Sequence, residues 1–185
     1  LMLLETPAGK PGFIAPSFTL KDPRGTVYTR EVIMGDNGLL VAFICNHCPY
    51  VQAIITRFVA DATDLLARGI GVVAIMPNDY SDYPDDSPAA MQVFAQTHNL
   101  PFPYLIDESQ SVAKAYEAVC TPDFFGFNRD NVLCYRGRLD DAKRGDATHR
   151  KPDLLQAMTQ VAKTGSCPDS LDQRPSLGCS IKWRV

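Results

Sequence analysis

The stretch Leu39-Leu40-Val41-Ala42-Phe43-Ile44-Cys45-Asn46-His47-Cys48-Pro49 decides how the rest of the chain is read. Leu39 to Ile44 are apolar without a break, which suits a strand buried on both faces of a sheet. Two cysteines in a CxxC spacing follow at once. A helical pattern then begins, with Val51, Ile54, Ile55, Phe58, Val59, Ala62, Leu65 and Leu66 on one face. Arg68-Gly69 ends it, with glycine at the left-handed cap. A CxxC framed by a buried strand and a long amphipathic helix reads as a thiol–disulfide redox site.

Cys45, placed near the helix N-cap, is expected to feel unpaired N–H groups and the positive end of the helix dipole. Its pKa should fall below the free value of about 8.5. Cys45 is therefore read as the attacking sulfur and Cys48, one turn further in, as the resolving one. His47 is expected to add charge or a donor beside the thiolate and make the disulfide more oxidising. Pro49 is tolerated in a first turn. No second CxxC and no His-x3-His stands at a zinc spacing, so no metal and no cofactor is expected.

Working outward, 185 residues make one domain with room for a core. A net charge of -3 gives no electrostatic case for nucleic acid or an anionic membrane. No apolar run approaches the ~20 residues of a membrane span. Six cysteines are too few for a disulfide-dense secreted scaffold, so the cytoplasm is the default. The leading Leu leaves room for a removed export signal.

Residues 1–16 read as an irregular arm. Phe18 to Leu20 and Thr26 to Thr29, around Asp22-Pro23-Arg24-Gly25, read as a hairpin. Ile70 to Met76 is a second buried strand, parallel to the first and completing a βαβ unit. Residues 77–86 are polar and read as a surface loop. Ser87-Pro88 opens a helix along Met91, Phe94 and Ala95, with His98 at its end. A short strand at 103–106, a brief helix at 111–119 and a second hairpin at 124–136 follow. The last helix carries Leu154, Leu155, Met158 and Val161 inward, and Gly165 stops it. The expected division is a domain at 1–165 and a tail at 166–185. Trp183 is expected to dock that tail on the body, which would place Cys179 either in a bridge to Cys167 or near the active site.

This order of elements resembles the thioredoxin fold. Ala15-Pro16-Ser17-Phe18-Thr19-Leu20 with Gly25 resembles its redoxin branch, grouped with alkyl hydroperoxide reductase and thiol-specific antioxidant (AhpC/TSA). Cys45-Asn46-His47-Cys48-Pro49-Tyr50-Val51, Tyr83-Pro84-Asp85-Asp86-Ser87-Pro88, Tyr135-Arg136-Gly137-Arg138 and Gly178-Cys179-Ser180-Ile181-Lys182-Trp183 are similar to a bacterial group within it. The resemblance implies an α/β thioredoxin fold: a central mixed sheet flanked by helices, with an N-terminal β-hairpin extension and a C-terminal tail. It also makes Pro122 the cis-proline facing the disulfide, with Thr121 before it. An open Thr121 edge there could pair with an extended partner segment. Cys120 would lie within reach of the site.

The function expected from residues and resemblance is thiol–disulfide oxidoreductase, an antioxidant-type enzyme with catalytic Cys45 and Cys48. Asn46, His47, Thr121 and Pro122 support them, and Cys120, Arg136 and Cys179 are accessory candidates. The partner is a protein dithiol or disulfide, either a thioredoxin-like reductant or a client. Two alternatives stand beside it: a peroxiredoxin-type thiol peroxidase reducing hydroperoxides, and a non-catalytic binding module. The peroxiredoxin Thr-x-x-Cys is absent. Matched on Cys48-Pro49 its Thr position holds Cys45; matched on Cys45 it holds Ala42. Arg136 is the candidate for the peroxiredoxin arginine.

Overall fold

The computed structural model describes residues 2–169 and 173–185. Strand β4 (Gly38–Phe43) is the spine. Leu40 and Ala42 join one hydrophobic cluster, while Leu39, Val41 and Phe43 join the other. Alternate side chains therefore face opposite layers, as a strand covered on both faces requires. Strand β5 (Ile70–Met76) lies beside it. Gly38 sits against Ile70 at one end, and the Ile44 N–H donates to Ile75 O at 3.0 Å at the other, so the two run parallel.

The sheet extends through β6 (Tyr104–Ile106), parallel to β5, then β2 (Thr19–Lys21) and β3 (Val27–Thr29). On the other side β4 pairs antiparallel with β8 (Asp123–Asn128), and β8 with β9 (Leu133–Gly137). This mixed sheet, with helices on both faces, is the thioredoxin fold. The hairpin β2–β3 pairs Leu20 with Tyr28 and forms the sheet's edge through Lys21 and Ile106.

Helix α3 (Ile55–Ala67) and helix α6 (Asp153–Thr164) cover one face with Phe58, Leu65, Leu154 and Met158. Burying Phe58 contributes about 2 kcal/mol. Helix α4 (Pro88–Thr97) adds Met91 and Phe94 to the same cluster, and Ser87 caps it by accepting the Ala90 N–H at 3.2 Å. The opposite face carries α5 (Ser111–Tyr116), whose Tyr116 ring meets Phe43, Phe125 and Phe127 edge-on. A short α1 (Arg30–Ile33), capped by Thr29, leads into β4.

Four expectations are corrected. Leu3–Glu5, inside the supposed irregular arm, forms β1. It pairs with β10 (Leu177–Ser180), a strand within the tail, and β10 pairs in turn with β7 (Cys120–Thr121). Neither segment shows a strand pattern alone; the pairing is what extends them. The single long helix is instead α2 (Pro49–Gln52) and α3, separated by Ala53 and Ile54. The polar stretch 77–86 is a surface loop only in part: residues 81–85 are exposed, but its two ends are not. Asn78, Asp79 and Asp86 are buried, and Pro84–Asp86 closes as a 3-10 turn.

The cysteine pairing also differs. Cys167 is bonded to Cys134, at S–S 2.10 Å, and not to Cys179. Trp183 is 39% exposed, with Lys114 Nζ 5.7 Å from its ring centroid. The tail's apolar anchor is Ile181, at 3% exposure.

Candidate active site

Proline fixes where the helix after the CxxC begins. Its missing N–H and set φ suit the first helical position, which puts the cap on the residue before it. Pro49 is the first residue of α2 and Cys48 its N-cap. Sequence reasoning placed Cys45 near that cap; Cys45 lies three residues before it. The N–H groups of Val51 and Gln52 close the turn onto Cys48 O at 3.0 and 2.9 Å.

The sulfurs converge on one residue of β7. Cys45 Sγ is 3.4 Å from Thr121 Oγ1, and Cys48 Sγ is 3.2 Å from Thr121 O. The Thr121–Pro122 peptide is cis, the isomer the resemblance implied. A third sulfur completes the group, with Cys179 Sγ 3.1 Å from Cys48 Sγ. All three cysteines are buried and free.

Their protonation differs sharply. The Cys48 thiol is lowered to about 5, first by the hydrogen bond from Cys45, against the opposing effect of burial, with further donation from the Cys179 thiol and the N–H groups of Cys179 and Val51. Cys45 is held well above the ordinary range by that same bond to Cys48, by burial and by the Asp86 charge. Cys179 is pushed up to about 12 by burial, then by Cys48. Cys48 is thus the sulfur whose ionisation the two neighbouring thiols favour. While protonated, Cys48 donates to Thr121 O; on ionisation the neighbouring thiols become the donors.

Asp86 organises the loop between the two cysteines. Its Oδ1 accepts the N–H groups of Asn46 at 2.8 Å and His47 at 3.3 Å, and its Oδ2 accepts from Asn78 Nδ2 at 2.9 Å. His47 Nδ1 lies 2.6 Å from the same Oδ2. The hydrogen bond to Asp86 raises the His47 pKa against the effect of burial. Burial pushes Asp86 up, but His47 and Asn78 outweigh it and leave Asp86 lowered. Asp86 holds the ring, the Cys48 charge adds a smaller raising effect on His47, and the lowering of Cys48 comes first from Cys45. Asn46 is buried, with Oδ1 accepting from Tyr104 Oη at 2.8 Å and Nδ2 donating to Asp85 O at 3.1 Å.

Donor atoms of Cys45, His47 and Asp86 lie within 4.8 Å of one another, a set that could ligate a cation. Asp86 is already engaged by two backbone N–H groups, Asn78 and His47, so ligation would have to break that arrangement.

Two accessory candidates remain, and Cys120, next to Thr121 in β7, lies close enough for the charges of Cys48 and Cys179 to act on it. Cys120 is buried, its thiol pushed up first by burial and then by the Asp123 charge. Arg136 is spent on structure. Its Nε and Nη2 donate to Asp123 at 3.2 and 2.8 Å, and Nη2 also reaches Glu117 O at 3.0 Å. These bonds, and the place of the guanidinium over the Phe125 ring, tie Arg136 to Asp123 and Glu117.

Sequence reasoning missed Asp86, Asn78 and Tyr104. A signal was available for Asp86: an acid in a Pro-Asp-Asp turn is a ready acceptor for free N–H groups of a nearby loop.

A CxxC with Cys48 capping a short helix, opposite a cis-proline on a mixed sheet of this order, defines a thioredoxin-like redoxin. The family model described as AhpC/TSA family matches residues 11–137, and the chain belongs to that family. An uncharacterized conserved protein from Geobacillus kaustophilus is 39% identical over 100% of this chain and 97% of its own, with TM-score 0.92. Two more distant structures share the fold. A secreted disulfide oxidoreductase of Mycobacterium tuberculosis is 17% identical, covering 77% of this chain and 94% of that one, with TM-score 0.58. The peroxidoxin BcpB of the same organism is 16% identical, covering 83% and 96%, with TM-score 0.61. A search of curated proteins found no match. Among the described residues no helix is long and apolar enough to cross a membrane.

Proposed function

We propose that the protein is a thiol–disulfide oxidoreductase in which Cys48 attacks and Cys45 can resolve. This reverses the order expected from the sequence. The observation that carries it is the convergence of the Cys45 and Cys48 sulfurs on Thr121, at 3.4 and 3.2 Å. Only the thiolate is nucleophilic, and Cys48 is the cysteine whose surroundings favour it. The partner is a protein disulfide or dithiol, in keeping with the oxidoreductase among the fold's relatives.

The test is the reaction of each variant with a small disulfide, read by thiol titration. Cys48→Ser should lose the reaction, and Cys45→Ser should keep its first step. If Cys45→Ser is inert while Cys48→Ser still reacts, the roles revert to those the sequence suggested.

One observation favours a second reading, a thiol peroxidase. Cys48 is fully buried and is followed by Pro49, as in the peroxiredoxin Cys-Pro, and a buried thiolate admits a hydroperoxide more easily than a protein. The missing Thr and the committed Arg136 weigh against it. Peroxide-consumption kinetics separate the two, since a peroxidase must consume peroxide faster than it exchanges with disulfides.

For compartment, the cytoplasmic default conflicts with the Cys134–Cys167 bridge, because glutathione keeps most such pairs reduced. Acid-quenched thiol counts from cells decide between them.

A further inference from the structure

The edge beside Thr121, expected to be open for a partner, is filled by the chain itself. In the β7–β10 pairing Cys179 stands opposite Thr121. Gly178, next to it, passes so close that an added Cβ would lie 2.0 Å from Thr121 O. Asn78 and Gln110 then fasten the chain beyond the strand. The Lys182 N–H donates to Asn78 Oδ1 at 2.9 Å, and Gln110 Nε2 donates to Lys182 O at 2.8 Å. An extended segment can add to such a strand edge by main-chain pairing. Here the added segment is β10, and it brings a cysteine sulfur to 3.1 Å from Cys48 Sγ.

We propose that Cys179 is a resolving thiol for Cys48, and that β10 acts as a built-in partner segment. The inference rests on the reading that Cys48 attacks a disulfide. In the first step the Cys48 thiolate attacks one sulfur of a partner disulfide R–S–S–R′. A Cys48–S–S–R bond forms, the S–S bond of the partner breaks, and R′S⁻ leaves. In the second step the Cys179 sulfur attacks Cys48 Sγ as its proton passes to the departing sulfur of the partner. The Cys48–Cys179 bond forms, the Cys48–S–S–R bond breaks, and RSH leaves. The partner has gained two electrons, and Cys48 with Cys179 has lost them. Contact between the sulfurs at 3.1 Å leaves about 1 Å to close to a bonded S–S distance.

The reaction assigns Cys45 a second place. Its sulfur is held by the Thr121 hydroxyl and can attack the Cys48–Cys179 disulfide at Cys48, passing the oxidation into the CxxC and freeing β10. The C-terminal strand would then be covalently latched in one oxidised form and released in the other.

Reduced Cys45→Ser protein treated with 2-hydroxyethyl disulfide, acid-quenched and mapped by mass spectrometry without reductant tests this. The expected product has a Cys48–Cys179 linked peptide pair, loss of both thiols, and no mercaptoethanol adduct. Cys45→Ser/Cys179→Ser should instead retain the adduct on Cys48. An adduct persisting in Cys45→Ser overturns the proposal. No adduct on Cys48 in the double variant overturns the reading that Cys48 attacks, on which the proposal rests, so the two failures are distinct. Wild-type protein given a substoichiometric dose needs no substitution: the Cys48–Cys179 pair should appear among the first products, and its absence there also overturns the proposal.

Discussion

The Asp86 carboxylate accepts the backbone N–H of Asn46 at 2.8 Å, joining two residues 40 positions apart in the chain. This bond holds the middle of the CxxC from outside the helix that follows it. Asp86 is fully buried and its remaining capacity goes to His47 and Asn78. Thiol geometry therefore depends on a carboxylate in a different loop.

Asp86→Ala should destabilise the fold by about 2–4 kcal/mol, because it strands buried donors on Asn46 and Asn78. Asp86→Asn should cost less, since one amide oxygen still accepts. Urea unfolding of the two variants checks the order, and equal losses would mean that the bonds to Asp86 hold little.

The His47–Asp86 contact predicts how stability varies with pH. His47 is raised in the folded state, so its contribution is complete below the unfolded value of about 6.5 and fades as pH rises through the folded one. The stability lost in His47→Ala should therefore be larger at acidic pH near 6 than at pH near 9. A loss that is flat across this window, or that grows with pH, would place the ring's charge elsewhere.

Thiolate absorbance at 240 nm should report the division between the sulfurs. The reduced protein should gain one thiolate near pH 5, where Cys48 ionises. Cys45→Ser should move that step upward if the serine hydroxyl donates less well than the thiol, and Cys48→Ser should remove it. A single step near the free-cysteine value of about 8.5 would refute the thiolate assignment.

Much of this was legible in the amino-acid sequence, for physical reasons. Leu39 to Ile44 had to be a two-faced strand, and the amphipathic face from Ile55 to Leu65 had to cover it. The cap was legible too: proline at the first helical position points to Cys48, not Cys45, and the sequence reading gave that rule too little weight. Leu3–Glu5 and Leu177–Ser180 were not legible, because three- and four-residue strands carry no periodicity and exist through their pairing with each other. The bond from Cys134 to Cys167 was equally hidden, since spacing says nothing about which cysteines meet.

Arg136 should behave as a structural residue. Arg136→Ala leaves Asp123 buried without its counter-ion and should cost about 3–5 kcal/mol. Where the variant remains folded, its 240 nm step should stay at the wild-type pH. A displaced step would return Arg136 to the thiolate.

Gly178→Ala should unseat β10, because its new methyl group meets backbone and not a side chain that can turn away. Limited proteolysis should then cut within the tail sooner than in wild type, and the Cys48–Cys179 product should be lost. A variant as protease-resistant as wild type would mean that β10 and β7 separate without cost.

The bond between Cys134 and Cys167 sets a leash. Between Cys167 and Cys179 the chain is fastened again, by Gln173 to Arg136, by Arg174 to Arg138 and by Ser176 to Pro122. A β10 that lifts from Thr121 is thus still tied to the body, at an effective concentration in the millimolar range typical of short linkers. Any outside segment that pairs with the Thr121 edge competes against that standing concentration. Its measured affinity is discounted accordingly, and only segments able to pay this toll remain bound long enough to exchange.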